Sequence, residues 1–263
     1  RILCTLIAPT AGHARIFGQD VIGARDAVRR AIGVVFQSPA LDRQLTSREN
    51  LLHHGHLYGL RGTELSARID SSLRAMGVQD RTDALVGTLS GGLRRRVEIA
   101  KAMLTAPRML MLDEPSTGLD PAARIDLWQQ LARLRDERGV TILIITHLLD
   151  EAERCDKVAI MDDGRIVASD APDTLKRAVG AEVITIQADD PGRARQALRD
   201  RLGVDAVQIE GALRIERADV AALAPRVIEA LSGAIRSLSI ARPTLEDVYM
   251  NLTGRKFQSA TEQ

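Results

Sequence analysis

Met109-Leu110-Met111-Leu112-Asp113-Glu114-Pro115-Ser116-Thr117-Gly118-Leu119-Asp120 runs four apolar residues into two adjacent carboxylates and then turns. A short continuous apolar run bounded by turn residues reads as a strand buried on both faces, as in a parallel sheet. Asp113 and Glu114 then stand at the carboxyl end of that strand, the edge where open α/β sheets bind ligands. Adjacent carboxylates at a buried strand end are costly unless a cationic or protic group meets them. A magnesium ion for Asp113 and a water to be activated for Glu114 are the natural occupants. For Asp-Glu alone, a plain acidic turn is the competing reading.

Working outward, Ala31-Ile32-Gly33-Val34-Val35-Phe36 reads as a second buried strand that delivers Gln37 at its end. Val140 to Ile145 is a third, ending at Thr146-His147. Leu89-Ser90-Gly91-Gly92 precedes a helix expected from Leu93 to about Leu104, with Val97, Ala100, Met103 and Leu104 on its apolar face. Arg94, Arg95 and Arg96 then fall mostly on the other faces and read as a solvated surface. Residues 48 to about 85 have a helical pattern broken at Gly59-Leu60-Arg61-Gly62 and at Gly77, and residues 121–138 another. Strands alternating with helices specify an α/β domain with a mostly parallel sheet. Singly, a Gln or a His after a strand, or a Ser-Gly-Gly turn, is more often structural than functional. Polar groups converging at one edge of one sheet are the informative observation.

Composition sets the limits. The chain has 263 residues, 45% hydrophobic and 27% charged, with a formal net charge of +1. That near-neutral balance excludes a general affinity for nucleic acid or anionic membrane. Aromatic residues make up 2%, which argues against base-stacking surfaces and leaves the core to Leu, Ile, Val and Ala. Cys4 and Cys155 form no C-x-x-C pair and are expected to be free thiols in a reducing compartment. No apolar run approaches the roughly 18 residues of a membrane span. Any membrane role is therefore expected to need a separate membrane partner. Ile2, Leu3 and Leu6 have helical spacing, so a helix is expected under way at Arg1 and ending at Pro9-Thr10-Ala11-Gly12.

After about Lys176 the pattern becomes β-α-β-β-α-β, the ferredoxin-like unit. A closing helix is expected at residues 244–252, with Thr244 as N-cap and Asp247 at the third helical position.

The chain resembles the ATP-binding subunit of an ABC transporter, from Arg1 to about Leu175. Leu89-Ser90-Gly91-Gly92 is similar to the ABC signature, Asp113-Glu114 to the Walker-B end, and Asp120 in Ser116-Thr117-Gly118-Leu119-Asp120 to the D-loop. The family usually has Gln after the signature glycines, where this chain has Leu93. The ending Arg242-Pro243-Thr244-Leu245-Glu246-Asp247-Val248-Tyr249, with Leu252-Thr253-Gly254-Arg255, is similar to the tail of daunorubicin-resistance-type exporter ATPases. The implied fold is an α/β P-loop nucleotidase (ABC ATPase) core over residues 1–176, with a helical subdomain at about 48–104 and N-terminally truncated. A small α+β ferredoxin-like accessory domain over 182–257 and a disordered tail at 258–263 follow.

The resemblance implies ATP and Mg²⁺ as ligands and ATP hydrolysis coupled to export of a drug-like or lipophilic substrate. Glu114 would activate the attacking water, His147 would contact the γ-phosphate, and Gln37 would reach metal and water. Asp113 would hold Mg²⁺. Ser90, Gly91 and Gly92 at a helix start would bind the γ-phosphate, with Asp120 beside them. The implied partners are an integral-membrane permease, touching the chain between Ser38 and Leu60, and a second ATPase subunit in a homodimer or heterodimer. No nucleic acid is expected, and the location is the cytoplasmic face of the membrane.

No G-x-x-x-x-G-K-[ST] loop, which cradles phosphates in this family, occurs in the sequence. Two readings stand. The sequence is a fragment of an active ATPase, favoured by the missing initiator Met and the retained Gln37, Asp113, Glu114 and His147. Alternatively it is a non-hydrolysing regulatory or signature-donating subunit. A soluble ABC ATPase of DNA repair or translation is the reading from another class, and the short helical segment between Gln37 and Ser90 argues against it.

Overall fold

The computed structural model describes residues 1–179, 182–209, 211–217, 220–231 and 233–254. They form two compact units, Arg1–Thr146 and His147–Gln263. The sequence reading places its boundary at about residue 176, later in the chain than the division between these units. The expected tail at 258–263, the end of the accessory domain at 255–257 and Arg255 lie outside the described residues.

The first unit opens without the expected helix. The Leu6 N–H donates to the Arg1 carbonyl at 3.1 Å and the Thr5 N–H to the Ile2 carbonyl at 2.9 Å, with Thr5 at φ 60°. This is a Schellman closure, so helical geometry ends at Thr5 rather than at Pro9. One turn satisfies the Ile2, Leu3 and Leu6 spacing that suggested more. The strands β1 (Arg15–Ile16) and β2 (Gln19–Asp20) pair antiparallel. Their two-residue turn holds Phe17 at φ 49° and Gly18 at φ 80°, the type I′ conformation that matches strand twist. The helix α1 (Arg25–Ala31), which the sequence reading did not foresee, leads into β3 (Ile32–Val35).

The helical layer follows as α2 (Ser47–Leu57), α3 (Gly62–Ala75) and α4 (Gly91–Met103). The chain then enters β4 (Met109–Asp113), α5 (Pro121–Arg138) and β5 (Thr141–Ile145). These strands form a parallel sheet in the order β3-β4-β5, with Ile32 opposite Met109 and Asp113 opposite Ile145. The central strand β4 is therefore the one that carries the carboxylates. Leu51, Leu65, Ile69, Leu73, Val97, Leu110, Leu127 and Leu131 pack in one buried cluster between helices and sheet. Gly33 is required there: a Cβ would stand 2.7 Å from the Ala102 carbonyl oxygen.

The second unit contains α6 (Leu149–Ala152), the hairpin β6 (Val158–Asp162) and β7 (Arg165–Asp170), and α7 (Pro172–Val179). It continues through β8 (Glu182–Ala188), α8 (Pro191–Leu202), β9 (Val207–Ile209), β10 (Ala212–Arg217), α9 (Val220–Ala230), β11 (Ile235–Ala241) and α10 (Leu245–Thr253). The last four strands form an antiparallel sheet in the order β11-β8-β10-β9, the ferredoxin-like topology. Ile184, Ile186, Leu198, Leu213 and Val227 are buried between that sheet and its helices. A separate cluster, Ile160, Leu175, Leu245 and Val248, joins the hairpin, α7 and α10. This cluster is why the hairpin and α7 belong with the second unit. Among the described residues, no helix is long and apolar enough to cross a membrane.

Candidate functional site

Two loops leave the same edge of the parallel sheet. Beyond β3 comes Phe36-Gln37, and beyond β4 comes Glu114-Pro115-Ser116-Thr117. The Gln37 side-chain amide donates to Glu114 Oε2 at 2.9 Å. The Thr117 hydroxyl donates to the same oxygen at 3.3 Å. Asp113 and Glu114 are half-buried. Glu114 takes φ 45°, a left-handed conformation that costs a non-glycine residue about 1–2 kcal/mol. Its backbone is held from both sides: the N–H donates to the Ile145 carbonyl at 2.8 Å, and the carbonyl accepts from the Thr117 N–H at 3.4 Å.

The strongest restraint on this turn comes from α4, and the sequence reading missed it. Arg95, expected on a solvated face, is buried at 8% exposure. Its Nε donates to the Pro115 carbonyl at 3.0 Å, and a terminal nitrogen donates to the Asp113 and Glu114 carbonyls at 2.9 and 3.2 Å. The other terminal nitrogen donates to the Phe36 carbonyl at 2.8 Å and to Glu98 at 2.9 Å. Glu98 in turn accepts the Ala40 N–H at 2.6 Å, and Lys101 donates to the Ala40 carbonyl. Burial lowers the Lys101 pKa, while the Glu98 charge raises it. Arg94 and Arg96 are likewise engaged, with the Leu89 carbonyl at 3.0 Å and with Asp126 at 2.8 Å. The spacing Arg95, Glu98, Lys101 places acid and bases on one helical stripe and was the available signal.

Ser90 is the N-cap of α4, its hydroxyl accepting the Leu93 N–H at 3.3 Å. Gly91 and Gly92 form the first turn. A Cβ on Gly92 would stand 2.8 Å from the Ala123 Cβ, so this glycine lets α4 and α5 approach. Asp120 is the N-cap of α5, accepting the Ala123 N–H at 2.9 Å, with Pro121 at the first helical position. His147 lies just beyond β5, as the first residue of the second unit. The structure thus brings Gln37 to Glu114 and places Asp113 beside them. Ser90, Gly91, Gly92 and Asp120 stand at two packed helix starts.

Oxygen donors dominate the loop edge: the Asp113 carboxylate and the Gln37 amide oxygen. A hard divalent cation such as Mg²⁺ fits that set, because it uses one or two protein oxygens and completes its shell with water and phosphate. Among the described residues, no group of three His, Cys, Asp or Glu side chains forms an all-protein metal site.

Residues 1–117 match the family described as ABC transporter, and residues 171–253 match the C-terminal domain described as ATP-binding protein DrrA1-3-like. The daunorubicin/doxorubicin resistance ATP-binding protein DrrA of Streptomyces peucetius is 36% identical over 97% of this chain and 79% of its own length. The chain belongs to the ABC transporter ATP-binding family. The Nod factor export ATP-binding protein I of Burkholderia lata is also similar, at 38% identity over 98% of the chain and 84% of that protein. Among solved structures, cbiO1 from Clostridium perfringens, part of the ABC transporter complex cbiONQ, matches with a TM-score of 0.62 and 26% identity. That match covers 76% of this chain and 77% of the other. Members of this family bind nucleotide and are generally ATPases coupled to transport.

Proposed function

We propose that this ABC ATP-binding chain serves in a subunit that couples ATP hydrolysis to export of a drug-like or lipophilic substrate through a separate integral-membrane permease. The observation that supports the hydrolytic part of the reading is the 2.9 Å hydrogen bond from Gln37 to Glu114 at the sheet edge, and the similarity to export ATP-binding proteins supports the transport part. Glu114 accepts a proton from the attacking water, whose oxygen bonds to the γ-phosphorus as the bond to the ADP oxygen breaks. Gln37 orients that carboxylate and the water. His147 contacts the γ-phosphate. Bound at Asp113 and Gln37, Mg²⁺ would neutralise charge on the phosphates. The N-terminus of α4, at Ser90, Gly91 and Gly92, meets the γ-phosphate of a nucleotide held mainly by a second ATPase subunit, with Asp120 nearby.

On this reading residues 1–176 are the ATPase domain and 182–257 an accessory domain. The chain works on the cytoplasmic face of the membrane, with the permease docking between Ser38 and Leu60. The test is Glu114→Gln in the assembled transporter. Turnover should fall about 10²–10⁴-fold while ATP stays bound. Unchanged turnover would remove Glu114 from the mechanism.

A further inference from the structure

Arg95 and Glu98 form a buried ion pair on α4, nitrogen to oxygen 2.9 Å, at 8% and 6% side-chain exposure. Such a pair is a weak source of stability, since apolar residues of equal volume often serve as well. What a guanidinium adds is a rigid fork of donors. Here the fork spans two loops. On one side it holds the Asp113, Glu114 and Pro115 carbonyls, and on the other the Phe36 carbonyl. Glu98 extends the grip to the Ala40 amide, and Lys101 to the Ala40 carbonyl. Gln37 is thus strung between two points, Phe36 and Ala40, both anchored on one stripe of α4. Its free end reaches Glu114, whose strained backbone hangs from the same guanidinium.

We propose that Arg95 and Glu98 are positioning residues that fix Gln37 and Glu114 relative to each other and tie both to α4. A displacement of that helix, set by what binds at Ser90, Gly91 and Gly92, is then felt directly at Glu114. The inference rests on reading Gln37 and Glu114 as the hydrolytic pair. A shift of about 1 Å at such a pair changes rates by around 10²-fold, so the bracket needs no large motion to matter.

The test compares the native chain with Arg95→Lys and Glu98→Gln. Lysine keeps the charge but cannot span both loops. Glutamine keeps an acceptor for the Ala40 amide but gives Arg95 no anion. In the purified chain, hydrogen exchange at the Glu114 and Thr117 amides should accelerate at least tenfold in Arg95→Lys, with the Val78 and Leu104 amides unchanged. In the assembled transporter, kcat should fall ten- to a hundredfold with KM for ATP within twofold. Glu98→Gln should move the same readouts in the same direction by less, and it decides the matter if Arg95→Lys does not fold. Unchanged exchange at Glu114 and Thr117, or a common acceleration at all amides, overturns the proposal. If Glu114→Gln keeps full turnover, the hydrolytic reading fails, while the exchange data still judge the bracket.

Discussion

Gln37 and Glu114, from loops after two neighbouring parallel strands, share a 2.9 Å hydrogen bond. Gln37→Ala removes that donor and leaves the Thr117 hydroxyl on the carboxylate. Turnover of the assembled transporter is expected to drop about tenfold, the order of one lost orienting hydrogen bond of about 1.4 kcal/mol. Steady-state kinetics at saturating ATP and Mg²⁺ check this.

Gly92→Ala should strain the α4–α5 contact, since the new methyl would meet the Ala123 Cβ at 2.8 Å. Overpacking of this kind costs about 1–3 kcal/mol. Urea unfolding should show the loss, and the second change Ala123→Gly should restore part of it. A full loss without rescue would point to a cause other than this contact.

His54 lines a cavity of about 230 Å³ with Ala40, Asn50 and Lys101 and tilts against the Tyr58 ring at 5.0 Å. Burial, with the Lys101 charge adding, pushes its pKa down to about 4. The folded state therefore stays unprotonated while the unfolded chain takes up a proton below its ordinary value of about 6.5. Stability should fall as pH drops from about 6.5 to about 4, with a slope of at most about 1.4 kcal/mol per unit from this group. His54→Gln should flatten that part of the profile in denaturation midpoints taken at pH 7 and 5.

Among the described residues, two capping boxes, one in each compact unit, allow local stability to be read separately. Thr46 accepts the Glu49 N–H at 3.1 Å while Glu49 accepts the Thr46 N–H at 2.8 Å. Thr244 and Asp247 do the same at 3.2 and 2.7 Å. Thr46→Ala should cost about 1 kcal/mol and loosen α2, and Thr244→Ala should do likewise for α10. Hydrogen exchange should show each effect confined to its own unit.

The parallel strands, Gln37 and Glu114 at their ends, and the box at Thr244 were legible because each rests on a local pattern: a buried apolar run, or a Thr with an acid three residues on. Arg95 was not. Helical position alone puts a charged residue in water, and only the loops folded over α4 make its surroundings polar and closed. The N-terminal helix was overdrawn because Ile2, Leu3 and Leu6 match a periodicity that Thr5 terminates. The boundary near residue 176 followed a change of pattern. Leu175, Leu245 and Val248 share a core that no local window displays.

The pairing of Ile32 with Met109 has a kinetic side. Those residues lie on opposite sides of α2, α3 and α4 in the chain, so the first rung of the parallel sheet closes a long loop and carries its entropy. Helices form and collide far sooner than such a rung. The α-helical layer is then expected to be the template on which β3 meets β4, with the Gln37–Glu114 contact expected among the last features to appear during refolding. Stopped-flow signals from helix content should lead any probe placed at Gln37.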